Sequence, residues 1–306
     1  MPGTIADDQN AEGNLKHFAA SRVWYKRGRR VAFVQVAFAF ATPLASAVVL
    51  WYSLSNLKIW VTAAAITAAL LDTIVLDPLQ RSLRGKGANE QEVFDCEVLD
   101  LPWPSGLASR PSQARTNDAA RKVDLARHRN WYPDVSAAPR WLGALICQQC
   151  SSWWDAKLRR NYINMLICLL SAAILGLSGL SLYKKLSFDL VITTIYAPLL
   201  PLINWAIREI MRHRETERLS SRTEEQAAAT WDRALKGEVQ DCKAAIREVQ
   251  DAIYYRRRTN PFVPDLLQRI QQAGYREIMD KTAAEMTAKA AATVATRPEI
   301  GNCAGA

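Results

Sequence analysis

The sequence predicts an all-α polytopic membrane protein with four transmembrane helices arranged as two hairpins, joined by mostly helical cytoplasmic segments. Three observations support this: four long apolar runs, connections dense in charge, and basic clusters beside the runs. The mean hydropathy of −0.11 over 306 residues would be typical of a soluble protein. That average conceals a strong segregation of apolar from charged residues along the chain.

The four apolar runs are residues 31–54, 59–76, 162–183 and 188–207. Each is long enough to cross a hydrocarbon core of about 30 Å as an α-helix. The second run is the least apolar, because it is rich in alanine and contains Asp72. The fourth contains two prolines, which kink a helix and free carbonyl groups that a helix bundle must satisfy.

The net charge of +9 comes from basic residues beside the spans. These are Lys26, Arg27, Arg29, Arg30, Arg81, Arg84, Lys86, Lys157, Arg159, Arg160, Arg208, Arg212 and Arg214. The two short turns between paired spans hold only Lys58, Lys184 and Lys185. The positive-inside rule therefore predicts that both termini and the central segment are cytoplasmic. The soluble parts mix both signs of charge, which argues against a DNA or RNA polymer as partner.

The predicted organisation alternates cytoplasmic segments with hairpins. The ranges are a cytoplasmic amphipathic arm 1–30, hairpin 31–76, cytoplasmic or interfacial segment 77–161, hairpin 162–207, cytoplasmic helical tail 208–281 and disordered end 282–306. Proline-rich stretches such as "LPWPSGLASRPS" predict short helices and loops on the membrane surface for the central segment. In the tail, Cys242, Ile246, Val249 and Ile253 recur at helical spacing and predict one apolar seam.

The stretch "CQQCSSWWDAKLRRNYINML" (147–166) precedes the third span. Zinc needs three or four protein ligands, and no second cysteine pair or clustered histidine accompanies this one, so no metal is expected. Indole rings settle at the headgroup level and basic side chains reach lipid phosphates. We therefore interpret the stretch as an interfacial anchor, or as a gate that couples the cytoplasmic segment to the span. Its residues are Trp153, Trp154, Asp155, Lys157, Arg159 and Arg160.

Asp72 is a carboxylate inside a span, where it normally faces a bundle interior, a partner or water. It is either an ion-paired or snorkelling residue or part of an ion path. In the second interpretation Thr62, Asp72 and Thr73 would line a pore formed by several copies of the chain.

In the tail, Tyr254 and Tyr255 precede Arg256, Arg257 and Arg258. Arginine binds phosphates through paired N–H groups and aromatic rings stack on bases, so a nucleotide could dock here. The alternative is a basic cluster facing solvent or lipid. No set of catalytic residues and no cofactor motif stands out, so we predict neither an enzyme nor a bound cofactor.

Several stretches resemble the SMODS-associated four-transmembrane effector family of bacterial antiphage defence. They are "QN" at residues 9–10, then "RVWYKRGRR", "LLDTIVLDPLQRSL", "EVFDCEVLDLPW", "NWYPDVS", "ICQQCSSWWDAKLRRNY", "YAPLLPLINWAIRE" and "YYRRRTNPFVPDLL". They occur in this order between residue 9 and about residue 280. The Trp-Trp-Asp and Leu-Pro-Trp stretches are the most specific of them.

The resemblance implies a pore-forming effector of the bacterial inner membrane. A partner nucleotidyltransferase would make a cyclic oligonucleotide upon infection, and a homo-oligomer of the effector would then disrupt the lipid bilayer. The alternative is a non-lytic transporter or a receptor-like membrane scaffold. Only a gated pore should become toxic conditionally.

Overall fold

A computed structural model describes residues 3–52, 55–183, 185, 187–192 and 196–301 of the chain. All regular secondary structure in these ranges is helical. The all-α prediction is confirmed for this part of the protein. The α-helices are α1 Ile5–Asp8, α2 Glu12–Trp51, α3 Lys58–Leu71, α4 Asp77–Leu99, α5 Gln113–Ala120, α6 Arg140–Tyr183, α7 Phe188–Val191, α8 Ala197–Leu235, α9 Cys242–Thr259 and α10 Asp265–Thr296.

The predicted spans are continuous with helices of the charged segments. The first span is the second half of α2, which has 40 residues, and the third is the second half of α6, which has 44. At 1.5 Å per residue these helices are about 60 Å long, roughly twice the thickness of a hydrocarbon core. If the apolar half of each helix spans the bilayer, the other half extends beyond it, and the helix is continuous between the two halves.

Among the described residues, two helical stretches are long and apolar enough to cross a membrane: Ile59–Leu99 and Arg140–Tyr183. In their most apolar windows 0% and 12% of the residues are buried, so neither is the core helix of a soluble domain. The fourth predicted span falls on α7 and the start of α8, and includes residues 193–195, outside the described ranges.

Large apolar side chains are exposed along the first three predicted spans, as is expected of helix surfaces that face lipid. Examples are Phe33, Leu44, Trp60, Ile74, Leu175 and Leu182.

Outside the predicted spans, the charged segments share a main hydrophobic core, and the described residues form two further, smaller apolar clusters. Phe18 from the arm, Phe94 from α4, Leu145 from α6, Ile246 from α9 and Ala290 from α10 all belong to the main core. The predicted seam of α9 is confirmed, because its four apolar residues are buried. The arm, the central segment and the tail therefore form one packed unit.

Two expectations for these segments were wrong, one of them in part. For residues 77–161 the expectation was wrong in part: residues 100–139 are loops with the short helix α5 and a 3-10 turn, as expected, but α4 and the first half of α6 are long helices with faces in the core. Residues 282–296 are not disordered: α10 continues to Thr296, and Ala283 and Ala290 are fully buried. Small side chains give no strong apolar periodicity, yet they let α10 pack closely against α6. Residues 302–306 lie outside the described ranges.

Candidate functional site

Asp72 lies where α3 gives way to a turn of π-helix, Asp72–Leu76, which continues directly into α4. Such π turns inside α-helices are frequently found at functional sites. The Asp72 carboxylate accepts a hydrogen bond from Nε2 of Gln35 in α2, at 2.7 Å. Thr73 is exposed and donates to the carbonyl of Ala69. The side chain of Thr62 lies outside the described part of the structure.

Beyond this turn, α4 enters the hydrophobic core and places Glu92 and Asp95 there, both with 0% exposure. Their spacing of three residues puts them on one face of the helix. Arg247 of α9 binds Glu92 Oε1 through Nη2 at 2.6 Å, and Arg257 of α9 forms an ion pair with Asp95. Gln250, between these arginines, donates to both carboxylates at 2.9 and 2.7 Å. Helices α4 and α9 are therefore joined by a buried polar clamp.

The electrostatics of the clamp depend on both arginines. Burial raises the pKa of Glu92, and the neighbouring Asp95 raises it further, while Arg247 opposes the rise. Burial disfavours charge on Arg257 as well, but Asp95 more than compensates and holds the pKa of the guanidinium above its usual value. Removing either cation would leave an uncompensated carboxylate in the interior, which is strongly destabilising.

The clamp also reaches α6 and the segment before it. The Tyr132 hydroxyl donates to Asp95 Oδ1 at 2.8 Å, and burial holds the pKa of Tyr132 well above its usual value. Gln148 of α6 donates to the carbonyl of Ile246 and to Gln250, both at 3.1 Å. The buried polar residues thus tie α4, α6 and α9 together.

The cysteine pair 147 and 150 lies beside this network. Burial raises the pKa of both thiols, to about 12 for Cys150 and well above the usual value for Cys147. Neither is therefore a thiolate at neutral pH. Among the residues that the structure describes, no group of three or more His, Cys, Asp or Glu side chains is arranged to hold a metal ion.

A second polar cluster lies nearer the spans, between α6, α8 and α9. Asp155 contacts Arg159 Nε at 2.8 Å and Arg256 Nε at 3.7 Å, and accepts from the Ser220 hydroxyl at 2.7 Å. Burial opposes its ionisation, but the two arginines hold the pKa of Asp155 below its usual range. His213 is fully buried and lies 3.1 Å from Arg159 Nη1.

The remaining residues of the predicted anchor have different surroundings. The half-buried rings of Trp153 and Trp154 meet Tyr275 of α10 edge to face, with centroids 5.6 and 5.5 Å apart. Lys157 is exposed, and Arg160 forms an ion pair with Glu217 of α8. The anchor residues therefore bridge α6 to α8, α9 and α10, and their position relative to lipid stays a prediction.

The five predicted nucleotide contacts do not form one surface. Arg256 is buried and Arg257 is partly buried, each in one of the two ion-pair clusters, and the Tyr254 hydroxyl donates to Asn89 at 2.7 Å. Tyr255 is exposed, and Arg258 donates to the carbonyl of Leu107 at 3.1 Å.

Sequence reasoning missed Glu92, Asp95 and Arg247. A signal was present, because the two carboxylates stand three residues apart among Val93, Phe94 and Cys96, where a solvated helix face is not expected.

The family comparison agrees with this architecture. No curated protein and no solved structure gives a significant match to the chain. The sequence pattern of one family, described as SMODS-associating 4TM effector domain, matches residues 3–286. That range spans the arm, all four predicted spans and both polar clusters. The chain belongs to the SMODS-associating 4TM effector family, a family of membrane effectors in defence systems.

Proposed function

We propose that the protein is a pore-forming effector of the bacterial inner membrane, opened by a cyclic oligonucleotide that binds its cytoplasmic part. The observation that carries this proposal is the continuity of the second span with α4, whose far end is held by the buried clamp. A change in the cytoplasmic core would move the span that contains Asp72, since the connection between them is helical. The family name points to a partner nucleotidyltransferase as the source of the signal.

The orientation follows from the shared core. The arm, the central segment and the tail pack together, which supports their lying on one side of the membrane. The positive-inside rule makes that side the cytoplasm.

A pore requires more than one copy of the chain. Helices pack with about 8–10 Å between their axes, so four spans leave no aqueous lumen. In a ring of subunits, the Asp72 carboxylates would form a constriction that attracts cations. The hydrogen bond from Gln35 would then hold each carboxylate in a fixed orientation.

The test is ion flux from liposomes that contain the full-length protein, with and without cyclic di- and trinucleotides. The parent should release cations only when an activating nucleotide is present. Asp72→Asn removes the charge and keeps the shape of the side chain. If the constriction attracts a cation less by about 1 kcal/mol, cation flux should fall about fivefold. The matched control is Asp77→Asn, one residue beyond the π turn and paired with Arg81.

Two outcomes would refute parts of this proposal. Equal flux in the parent and Asp72→Asn would place the lumen elsewhere. No conditional flux and no conditional toxicity in cells, with the native nucleotidyltransferase present and active, would favour the transporter or scaffold interpretation.

A further inference from the structure

Three arginines from different helices converge on the loop that joins α9 to α10, residues 260–264. Arg84 of α4 donates to the carbonyl of Thr259 at 2.7 Å, and Arg159 of α6 donates to the carbonyl of Pro261 at 3.0 Å. Arg256 lies one helical turn before the loop, and its own carbonyl accepts from the Asn260 amide. All three are buried. We call this group the arginine seam.

The seam has more positive charge than the protein neutralises. Asp155 contacts Arg159 and Arg256, but no carboxylate among the described residues forms an ion pair with Arg84. Glu209 lies close by, where its carboxylate engages His213. Burial, opposed by Asp77 at Arg84 and by Asp155 at Arg256 and reinforced by Arg159, lowers the pKa of both arginines to about 10.

Two N–H groups of the seam lack an acceptor among the described residues. They are Nε of Arg84 and Nη1 of Arg256, and Arg256 is only 3% exposed. Buried donors of this kind are rare, and each costs about 1–3 kcal/mol if it stays unpaired. An anion would satisfy both the donors and the excess charge.

We propose that the arginine seam is a binding site for a phosphate group, carried either by a cyclic oligonucleotide or by an anionic lipid headgroup. Guanidinium groups match phosphate oxygens through paired, charge-assisted N–H bonds. This inference rests on the proposed function for its nucleotide source, and it differs from the Tyr254–Arg258 contacts because two of the three arginines come from α4 and α6.

The position of the seam suggests how binding would be transmitted. The loop that covers it carries Phe262, whose ring lies 5.1 Å from the Arg84 guanidinium and against Gly28 of α2. At the end of the loop, Asp265 pairs with Arg29 at 2.5 Å, next to the start of the first span. A phosphate that replaces the carbonyls of Thr259 and Pro261 as acceptor for Arg84 and Arg159 would release the loop from α4 and α6, close to the bilayer.

The test uses the full-length protein in phosphatidylcholine nanodiscs. Calorimetry with cyclic di- and trinucleotides should detect binding that weakens at least about tenfold in Arg84→Gln, since one charge-assisted contact is lost. The matched control is Arg214→Gln, an exposed arginine of α8, which should change affinity less than about twofold. If Arg84→Gln does not fold, the unmodified protein decides: low millimolar phosphate, at constant ionic strength set by chloride, should raise its thermal midpoint saturably, whereas the non-specific effect of phosphate does not saturate.

The arms of the test separate the two phosphate sources. Nucleotide binding that is lost in Arg84→Gln supports a nucleotide site. Stabilisation by phosphatidylglycerol in the nanodisc, without nucleotide binding, supports a headgroup site. No stabilisation by any phosphate, or equal binding by parent and Arg84→Gln, overturns the inference.

These results are distinguishable from failure of the proposed function. Nucleotide-dependent flux that is equal in the parent and Arg84→Gln would leave the pore intact and remove this site. Phosphate binding without any conditional flux would support this site and contradict the proposed pore function.

Discussion

Arg257 and Arg258 are adjacent in sequence but have opposite environments, so Arg257→Gln tests whether the arginine triplet is structural. Arg257 has 13% side-chain exposure and pairs with fully buried Asp95, whereas Arg258 is exposed and donates to the backbone carbonyl of Leu107. The substitution removes the cation and leaves the carboxylate in the core.

Breaking a buried ion pair by removing one partner costs about 3–5 kcal/mol. Asp95 would retain its hydrogen bonds from Tyr132 and Gln250, so we expect the lower end of that range. For a chain of this size, about 3 kcal/mol corresponds to a decrease of roughly 5–10 °C in the thermal midpoint. Arg258→Gln should cost within about 0.5 kcal/mol, as surface substitutions do.

The assay is thermal unfolding in detergent, with tryptophan fluorescence as the readout. Asp95→Asn combined with Arg257→Gln removes both charges and should recover part of the lost stability, because the unpaired carboxylate is gone. If Arg257→Gln and Arg258→Gln lower the midpoint equally, the clamp is not a buried ion pair and the reasoning fails.

The remaining predictions concern packing, pH and lipid contact. A Cβ at Gly87 would come within 2.7 Å of the Tyr25 ring, whereas nothing lies within 4 Å of one at Gly85; Gly87→Ala should destabilise, and Gly85→Ala should stabilise by up to about 1 kcal/mol. Equal effects of the two substitutions on the thermal midpoint would contradict this packing. Burial lowers the pKa of His213 below its value in the unfolded chain, so the free energy of unfolding should fall as pH drops below about 6.5. His213→Gln should flatten this dependence of the thermal midpoint on pH, and an unchanged dependence would refute the reasoning. If Trp153 anchors the protein in lipid headgroups, brominated lipids should quench its fluorescence in a variant that retains it alone, while a ring held only against protein would not be quenched.

Much of the fold could be predicted from the sequence, because its signals are local. The length of an apolar run reports whether a helix can span a bilayer, and recurring apolar positions report a buried face, as in α9. The disordered end was predicted wrongly because small residues such as Ala283 and Ala290 carry no strong periodic signal, although they pack well.

The candidate site depended on contacts that sequence reasoning could not supply. The sequence "YYRRR" does not distinguish the environments of its five residues. Because a helix rotates by about 100° per residue, their side chains point in different directions and contact different neighbours. Whether an arginine meets solvent, phosphate or a carboxylate then depends on the helix packed beside it.

By itself, the sequence determined that this chain is helical, enters a membrane, and carries the motifs of one effector family, since these properties reside in composition, run length and short stretches of residues. Only the tertiary structure decided that Glu92 and Asp95 meet Arg247 and Arg257 about 155 to 162 residues later in the chain. The physical reason is that the cost of burying a charge is offset only beside a partner of opposite charge, and the partner is selected by how α4, α6 and α9 pack together.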